Sequence, residues 1–378
     1  DLEQVLPIAK SLYDKGFEIH GIFSSKLSYG YGSRYIKRKY IHQNAVEIED
    51  YYLFIKSVLQ KERYVSIIPM RDSAAEVMCK YRDDLLQYTA YVMPDADGFE
   101  RGFDKQRLME VCKMHGYPHP ETYIVRNGSL CGLDIEEIRY PVLIKPNHTF
   151  GARGMTLCRN KDELEKKYPI IFNQFGECHL QTYIPEGGHQ VEVQIYINEK
   201  QELVQSSVIK KFRWYPNKGG SSCCNISCKN EKIVDICYKV LKSIGWVGFA
   251  DFDTIEDPRT GELLIMEINP RVPACVKSAF ASGIDWADVI VGEYLKKSHK
   301  VYQMNREVYL RFLGVEVLWF LKSENKWHTK PNWFNFFGKD IFYQDMSDWT
   351  DPMPFIRGTI GNIKKKLSLE FRKSKAGV

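Results

Sequence analysis

Two hydrophobic periods alternate along the first two-thirds of the chain. Helical spacing of apolar positions marks residues 3–15, 50–61 and 72–81, with strand-like runs at 17–23 and 64–70 between them. Asp72 is placed to cap the third of these helices. Alternating helices and strands predict a parallel, doubly wound sheet. Such a sheet normally opens on a strand, so a first strand is expected ahead of Asp1. A further helix is predicted from Asp104 to about residue 115. Strands are expected at 122–125, 141–145 and 155–158, then a helix at 161–168 ended by Pro169. Strands at 177–183, 190–197 and 203–211 read as an antiparallel sheet, followed by helices at 231–243, 274–281 and 285–295.

Between the last helices lies an acidic hairpin. Val247-Gly-Phe-Ala-Asp-Phe-Asp-Thr254 and Gly261-Glu-Leu-Leu-Ile-Met-Glu-Ile-Asn-Pro-Arg271 are two strand-like runs joined by a turn. Side chains alternate along a strand, so Glu267, Asn269 and Arg271 share one face, and Asp251 and Asp253 share another. Unpaired charges are too costly for an apolar core. Hard oxygen ligands beside a guanidinium instead suit a metal-bound polyphosphate. Pairing of the strands brings Asp251 or Asp253 beside Glu267.

Upstream, Tyr140-Pro-Val-Leu-Ile-Lys-Pro-Asn-His-Thr-Phe-Gly-Ala-Arg-Gly-Met155 is a buried strand ending in Lys145, followed by a glycine-punctuated loop. Gly151 and Gly154 let backbone N–H groups approach phosphate, with Lys145 as a point charge and Arg153 within the loop. His148 belongs to the same loop and is equally readable as a phosphate contact or an exposed side chain. The spacing is not that of a P-loop, and no Gly-x-Ser-x-Gly nucleophile motif occurs.

The motifs Asp104-Lys105, Tyr140 to Pro146, Gly151 to Gly154, Gln181-Thr-Tyr-Ile-Pro185 and Met266 to Arg271 occur in that order. Together they resemble the ATP-grasp superfamily over most of residues 1–295. The run from Asn269 to Gly283 is most similar to the synthetase unit of the carbamoyl-phosphate synthetase large subunit. The resemblance implies an α/β and α+β protein: an N-terminal doubly wound (preATP-grasp) domain at 1–103, ATP-grasp lobes at 104–178 and 179–298, and a C-terminal extension at 299–378. It implies that Lys105 and Lys145 reach the nucleotide phosphates and that residues 148–155 form a flap over them. It makes Gln181, Thr182, Tyr183 and Ile184 the adenine hinge, which here lacks the acidic residue usual in the family. Asp251, Glu267 and Asn269, with Asp253 beside them, are implied as Mg²⁺ ligands, with Mn²⁺ as an alternative ion. Arg271 is implied at the transferred phosphoryl group. One of Lys210, Lys211 and Arg213 supplies the cation of a basic substrate loop at 210–222.

The activity implied is that of an ADP-forming carboxylate–amine ligase acting through an acyl phosphate. Its partners are a small-molecule carboxylate (or bicarbonate or carbamate) and an amine. One synthetase-sized unit without a glutaminase segment favours a stand-alone ligase over a complete carbamoyl-phosphate synthetase. A non-catalytic nucleotide-binding scaffold is the alternative. Biotin-dependent carboxylation ranks third, because no biotin acceptor segment is visible.

Composition narrows the rest. Ten cysteines without regular spacing read as reduced cytoplasmic thiols, and Cys223, Cys224 and Cys228 read as plain buried cysteine, not a zinc site. The net charge of +5 hides an uneven distribution: residues 357–378 hold seven Lys/Arg against one Glu, leaving −1 for the remainder. Balanced charge over the body excludes a nucleic-acid-binding class. Ile360, Ile363, Leu367 and Phe371 recur near helical period in the basic tail. This predicts a terminal helix whose apolar stripe packs on its own domain, in preference to one resting on an anionic membrane surface. The many aromatics between Trp319 and Trp349 predict a small packed extension.

Overall fold

The computed structural model describes residues 3–43, 47–148, 153–215, 221–324, 326–346 and 348–367. The N-terminal part is mixed helix and strand. β1 (His20–Phe23) and β2 (Arg38–Ile41) pair in parallel, flanked by helices Val5–Asp14, Ile48–Leu59 and Asp72–Lys80. The strand expected at 64–70 is an extended segment with a single parallel bridge, Ser66 to Ala90. Its two ladder hydrogen bonds are long, both 3.4 Å. Among the described residues it has a bridging partner on one side only, so the run does not build the regular ladder that its composition favours.

Next comes a four-stranded antiparallel sheet of β3 (Thr122–Tyr123), β4 (Val142–Pro146), β5 (Thr156–Cys158) and β6 (Cys178–Thr182), in the order β3-β6-β4-β5. The helix Lys161–Phe175 covers it and runs through Pro169 instead of ending there. Leu164 and Tyr168 are buried on the sheet and Phe172 packs beside them. That burial holds the turns around a proline that lacks one hydrogen bond.

The second sheet has seven strands: β7 (Gln190–Ile197), β8 (Leu203–Tyr215), β9 (Ser221–Cys228), β10 (Gly248–Glu256), β11 (Leu263–Asn269), β12 (Tyr309–Arg311) and β13 (Ile341–Tyr343). Their order is β11-β10-β7-β8-β9-β12-β13, antiparallel except for the parallel pair β12–β13. The amphipathic helix Glu231–Ser243 buries Ile233, Cys237, Val240 and Leu241. These join a core continuous with Val193, Phe252 and Trp246 and with Ile8, Ile55 and Met78 of the N-terminal part. The N-terminal part is therefore fused to this sheet by buried apolar surface, the largest stabilising term available to it.

The C-terminal extension is packed, and it shares the sheet. β12 pairs with β9, and the helix Leu313–Lys322 lies on β8 and β9 with Trp319 buried. At this junction Arg213, Arg311 and Glu316 form a buried ionic cluster. Glu316 accepts from Arg213 and, at 2.6 Å, from Arg311 Nε. The last helix, Met353–Leu367, corrects the expectation for the tail. Its glycine face, Gly358 and Gly361, meets Tyr29 and Leu27, while Ile360 and Ile363 face outward. Close approach through two glycines replaced the apolar contact that the spacing suggested. Phe371 lies outside the described residues. All ten cysteines are free, and among the described residues no helix is long and apolar enough to cross a membrane.

Candidate active site

The hairpin β10–β11 sets the acidic cluster. Asp251 is opposite Asn269 and Asp253 is opposite Glu267, so all four side chains stand on one face. Strand β7 adds Glu192 opposite Asp253. Asn269 Nδ2 lies 3.3 Å from Asp251 Oδ2 and 3.2 Å from Asp253 Oδ2. Lys211 Nζ lies 2.6 Å from Glu192 Oε1 and 2.8 Å from Asp253 Oδ1. Four carboxylates thus lie close together, with Lys211 and Arg271 among them. Burial, then Glu192 and Asp253, push the Asp251 carboxyl well above the usual range. Burial would raise Asp253 too, but Lys211 and Asn269 hold it below the ordinary value. Lys211 is raised well above its usual range, because Asp253 and Glu192 outweigh its own burial.

Asp251 is 1% exposed, and its Oδ1 atom has no hydrogen-bond partner. An orphaned buried carboxylate oxygen is costly on its own. Beside Asp253, Glu267 and Asn269 it completes an oxygen-rich donor set of the kind that takes Mg²⁺, so these residues fit the ion that the resemblance implies.

Across from this cluster stand two lysines. Lys105 opens the helix Lys105–His115, whose N-cap Asp104 accepts from the Arg107 amide at 2.9 Å. Its Nζ lies 3.3 Å from Glu267 Oε2, which ties the two halves of the site together. Lys145, on β4, is 7% exposed and donates to Gln181 Oε1 on β6. Burial pushes its ammonium down to about 8; Glu267 opposes this shift and Lys105 adds to it. His179, opposite Lys145, is pushed down to about 3 by burial and by Lys145, and its Nδ1 lies 2.9 Å from Asn147 Oδ1. It is a neutral structural histidine.

The residues flanking the lysines are placed unevenly. Gln181 is engaged with Lys145, so its side chain orients the lysine instead of facing outward from the hinge. Thr182 and Tyr183 donate their amides to Glu121 and Pro141 carbonyls, and Ile184 is buried just beyond. His148 Nε2 lies 2.9 Å from Asp104 Oδ2, which raises its pKa and ties His148 to the helix cap. Gly154 has φ +74°, and an added Cβ there would strike Phe175 and Pro146. Arg153 is described with it. Gly151 lies outside the described residues, as do residues 216–220 of the basic loop.

The family model for the carbamoyl-phosphate synthase L chain, ATP binding domain, matches residues 104–294. The chain belongs to that family. A curated relative, D-aspartate ligase of Enterococcus faecium (strain Aus0004), is 27% identical over 243 residues, covering 58% of this chain and 58% of the relative. Across four such relatives, the matched region spans 22–58% of the relative's length. A biotin carboxylase complex from Campylobacter jejuni superposes with a TM-score of 0.67 at 18% identity, over 82% of this chain and 73% of that one. An L-amino acid ligase from Bacillus licheniformis gives 0.63 at 13% identity, over 81% and 76%. The fold is the ATP-grasp fold.

Within this ATP-grasp protein the three basic-loop candidates separate. Lys211 joins the acidic cluster. Lys210 lies over the Phe212 ring, 5.9 Å from its centroid. Arg213 is a correction: it is buried against Glu316 and the Pro331 carbonyl, in the junction with the C-terminal extension. Register shifts in β8 on both sides of Arg213 turn it away from Lys211, and a bulge of this kind leaves no periodic mark in sequence. Asp72 is a second correction. It is the first residue of its helix and makes no capping bond; its Oδ1 lies 3.0 Å from Arg271 Nε instead. Arg271 also donates to Asn269 Oδ1 at 3.2 Å.

Glu192 escaped the sequence reading. Its signal was present, since Gln190, Glu192 and Gln194 are polar at every second position of an otherwise apolar strand. Cys275, whose thiol donates to Glu192, carried no comparable mark.

Proposed function

We propose that this protein is an ADP-forming ligase that activates a carboxylate as an acyl phosphate and passes the acyl group to an amine. The observation carrying this reading is the single face on which Asp251, Asp253, Glu267 and Asn269 meet, with Lys105 and Lys145 opposite. Asp251, Asp253, Glu267 and Asn269 would hold Mg²⁺, or Mn²⁺ in its place, which would supply charge neutralisation at the ATP phosphates. Lys105 and Lys145 bind the phosphate oxygens, and Gln181 fixes the direction of Lys145. Arg271, braced by Asp72 and Asn269, neutralises the phosphoryl group as it moves. A substrate carboxylate oxygen attacks the γ-phosphorus and the bond to the β-phosphate oxygen breaks, releasing ADP. The amine then attacks the acyl carbon, inorganic phosphate leaves and the amine's proton goes to solvent. Such a reaction needs positioning and charge neutralisation, and no protein nucleophile.

Relatives named D-aspartate ligase and L-amino acid ligase support an amino acid as one substrate. We read the N-terminal part as the doubly wound preATP-grasp domain, on the strength of its parallel β1–β2 pair and alternating helices. The ten free cysteines support work in the reducing cytoplasm.

The test is product release over a panel of amino acids, other carboxylates and amines with Mg²⁺ and ATP. Stimulated ADP and phosphate release, abolished in Glu267→Ala, supports the ligase. AMP and pyrophosphate as products would overturn it.

A further inference from the structure

The helix Met353–Leu367 has two unlike faces. One is seated on the body. Pro354 and Gly358 are buried, and side chains added at Gly358 and Gly361 would strike Tyr29 and the Leu27 carbonyl. Asn362 Nδ2 donates to Tyr29 Oη at 2.9 Å, and Arg357 donates to the Lys26 carbonyl at 3.3 Å. The other face presents Met353, Ile356, Ile360 and Ile363, at 41%, 45%, 43% and 53% exposure. Steps of three, four and three residues put them in a single stripe about 15 Å long. Trp349, four residues before the stripe, is 80% exposed. A scattered exposed isoleucine is ordinary, but a continuous row on a docked helix is not.

Charge identifies what covers the stripe. Residues 357–378 carry seven Lys/Arg against one Glu, while the remainder of the chain sums to −1. In sequence, six of the seven basic residues follow directly after the apolar row. A helix with an apolar stripe, flanking lysines and a nearby tryptophan matches the interfacial helix that lies along a bilayer. We infer that this helix rests on an anionic phospholipid surface, the isoleucine row among the acyl chains and the basic side chains among the headgroups. Its glycine face stays on the protein, so this helix holds the ATP-grasp body at the membrane. This inference stands apart from the ligase reading, since it uses no residue of the active site.

Flotation of the full chain with phosphatidylcholine vesicles, with and without phosphatidylglycerol, tests it. Binding to the anionic vesicles should exceed binding to neutral ones by about tenfold or more, and fall as salt is raised. The double change Ile360→Asp with Ile363→Asp should reduce it to the neutral-vesicle level. So should Lys364→Glu, Lys365→Glu and Lys366→Glu together. Retained Mg·ATP binding and an unchanged melting temperature would show that both variants are folded. Equal binding to both vesicle types, or none to either, overturns the inference. So does a concentration-dependent dimer that the isoleucine changes dissociate without any vesicle binding, which would assign the stripe to a second copy.

Discussion

At pH 8 the intact protein should take up about half a proton more than its Lys145→Arg variant as Mg·ATP binds. Burial depresses the Lys145 ammonium from 10.5 to about 8. Below about pH 8 the lysine is charged in both folded and unfolded protein, and burying that charge costs about 3 kcal/mol of stability. Between pH 8 and 10.5 the unfolded chain holds more protons than the folded one. Stability therefore rises with pH across that window as the cost is removed. A triphosphate beside the lysine restores its charged form. Uptake in excess of the Lys145→Arg variant should then be about 0.1 proton at pH 7, about 0.5 at pH 8 and about 0.9 at pH 9. Affinity for Mg·ATP should weaken by up to about tenfold per pH unit above 8. Calorimetry in buffers of different ionisation enthalpy counts the protons directly. Arginine stays charged throughout, so its variant should bind with a flat pH profile. Equal proton uptake by wild type and Lys145→Arg at pH 8 and 9 would refute the placement of phosphate at this lysine.

Three further outcomes follow from the same geometry. Asp72→Asn releases Arg271 from its 3.0 Å partner, so turnover should fall about tenfold while Mg·ATP affinity, read by calorimetry, stays near wild type. Lys211→Met leaves Glu192 and Asp253 without their shared cation; it should cost about 3–5 kcal/mol in urea unfolding, and added Mg²⁺ should recover part of the loss. Glu316→Gln strips the counter-charge from two buried arginines and should destabilise the protein by about 3–5 kcal/mol, with Mg·ATP affinity unchanged in the folded fraction.

The sequence spoke clearly where one period held over a whole element. The helix at 231–243 and the strand at 190–197 begin and end where their apolar patterns do. The acidic hairpin was readable because a strand's alternation fixes which residues share a face, and its register then follows from pairing. Features created by tertiary context were not readable. The bulge in β8 sends Arg213 to Glu316, and nothing in Lys210-Lys-Phe-Arg213 announces it. Asp72 looked like a cap because caps are local, whereas its partner Arg271 lies far along the chain. The run at 64–70 has strand composition but, among the described residues, a bridging neighbour on one side only. Pro169 signals a helix end in isolation, and burial of its neighbours overrides that signal.

The transfer of oxygen from substrate to phosphate tests the central claim most directly. A carboxylate that stimulates ADP release would be prepared with ¹⁸O in both oxygens and turned over with its amine. Passage through an acyl phosphate predicts one ¹⁸O in each inorganic phosphate released, read as an isotope shift in the ³¹P spectrum. Unlabelled phosphate, or label appearing in AMP, would contradict it.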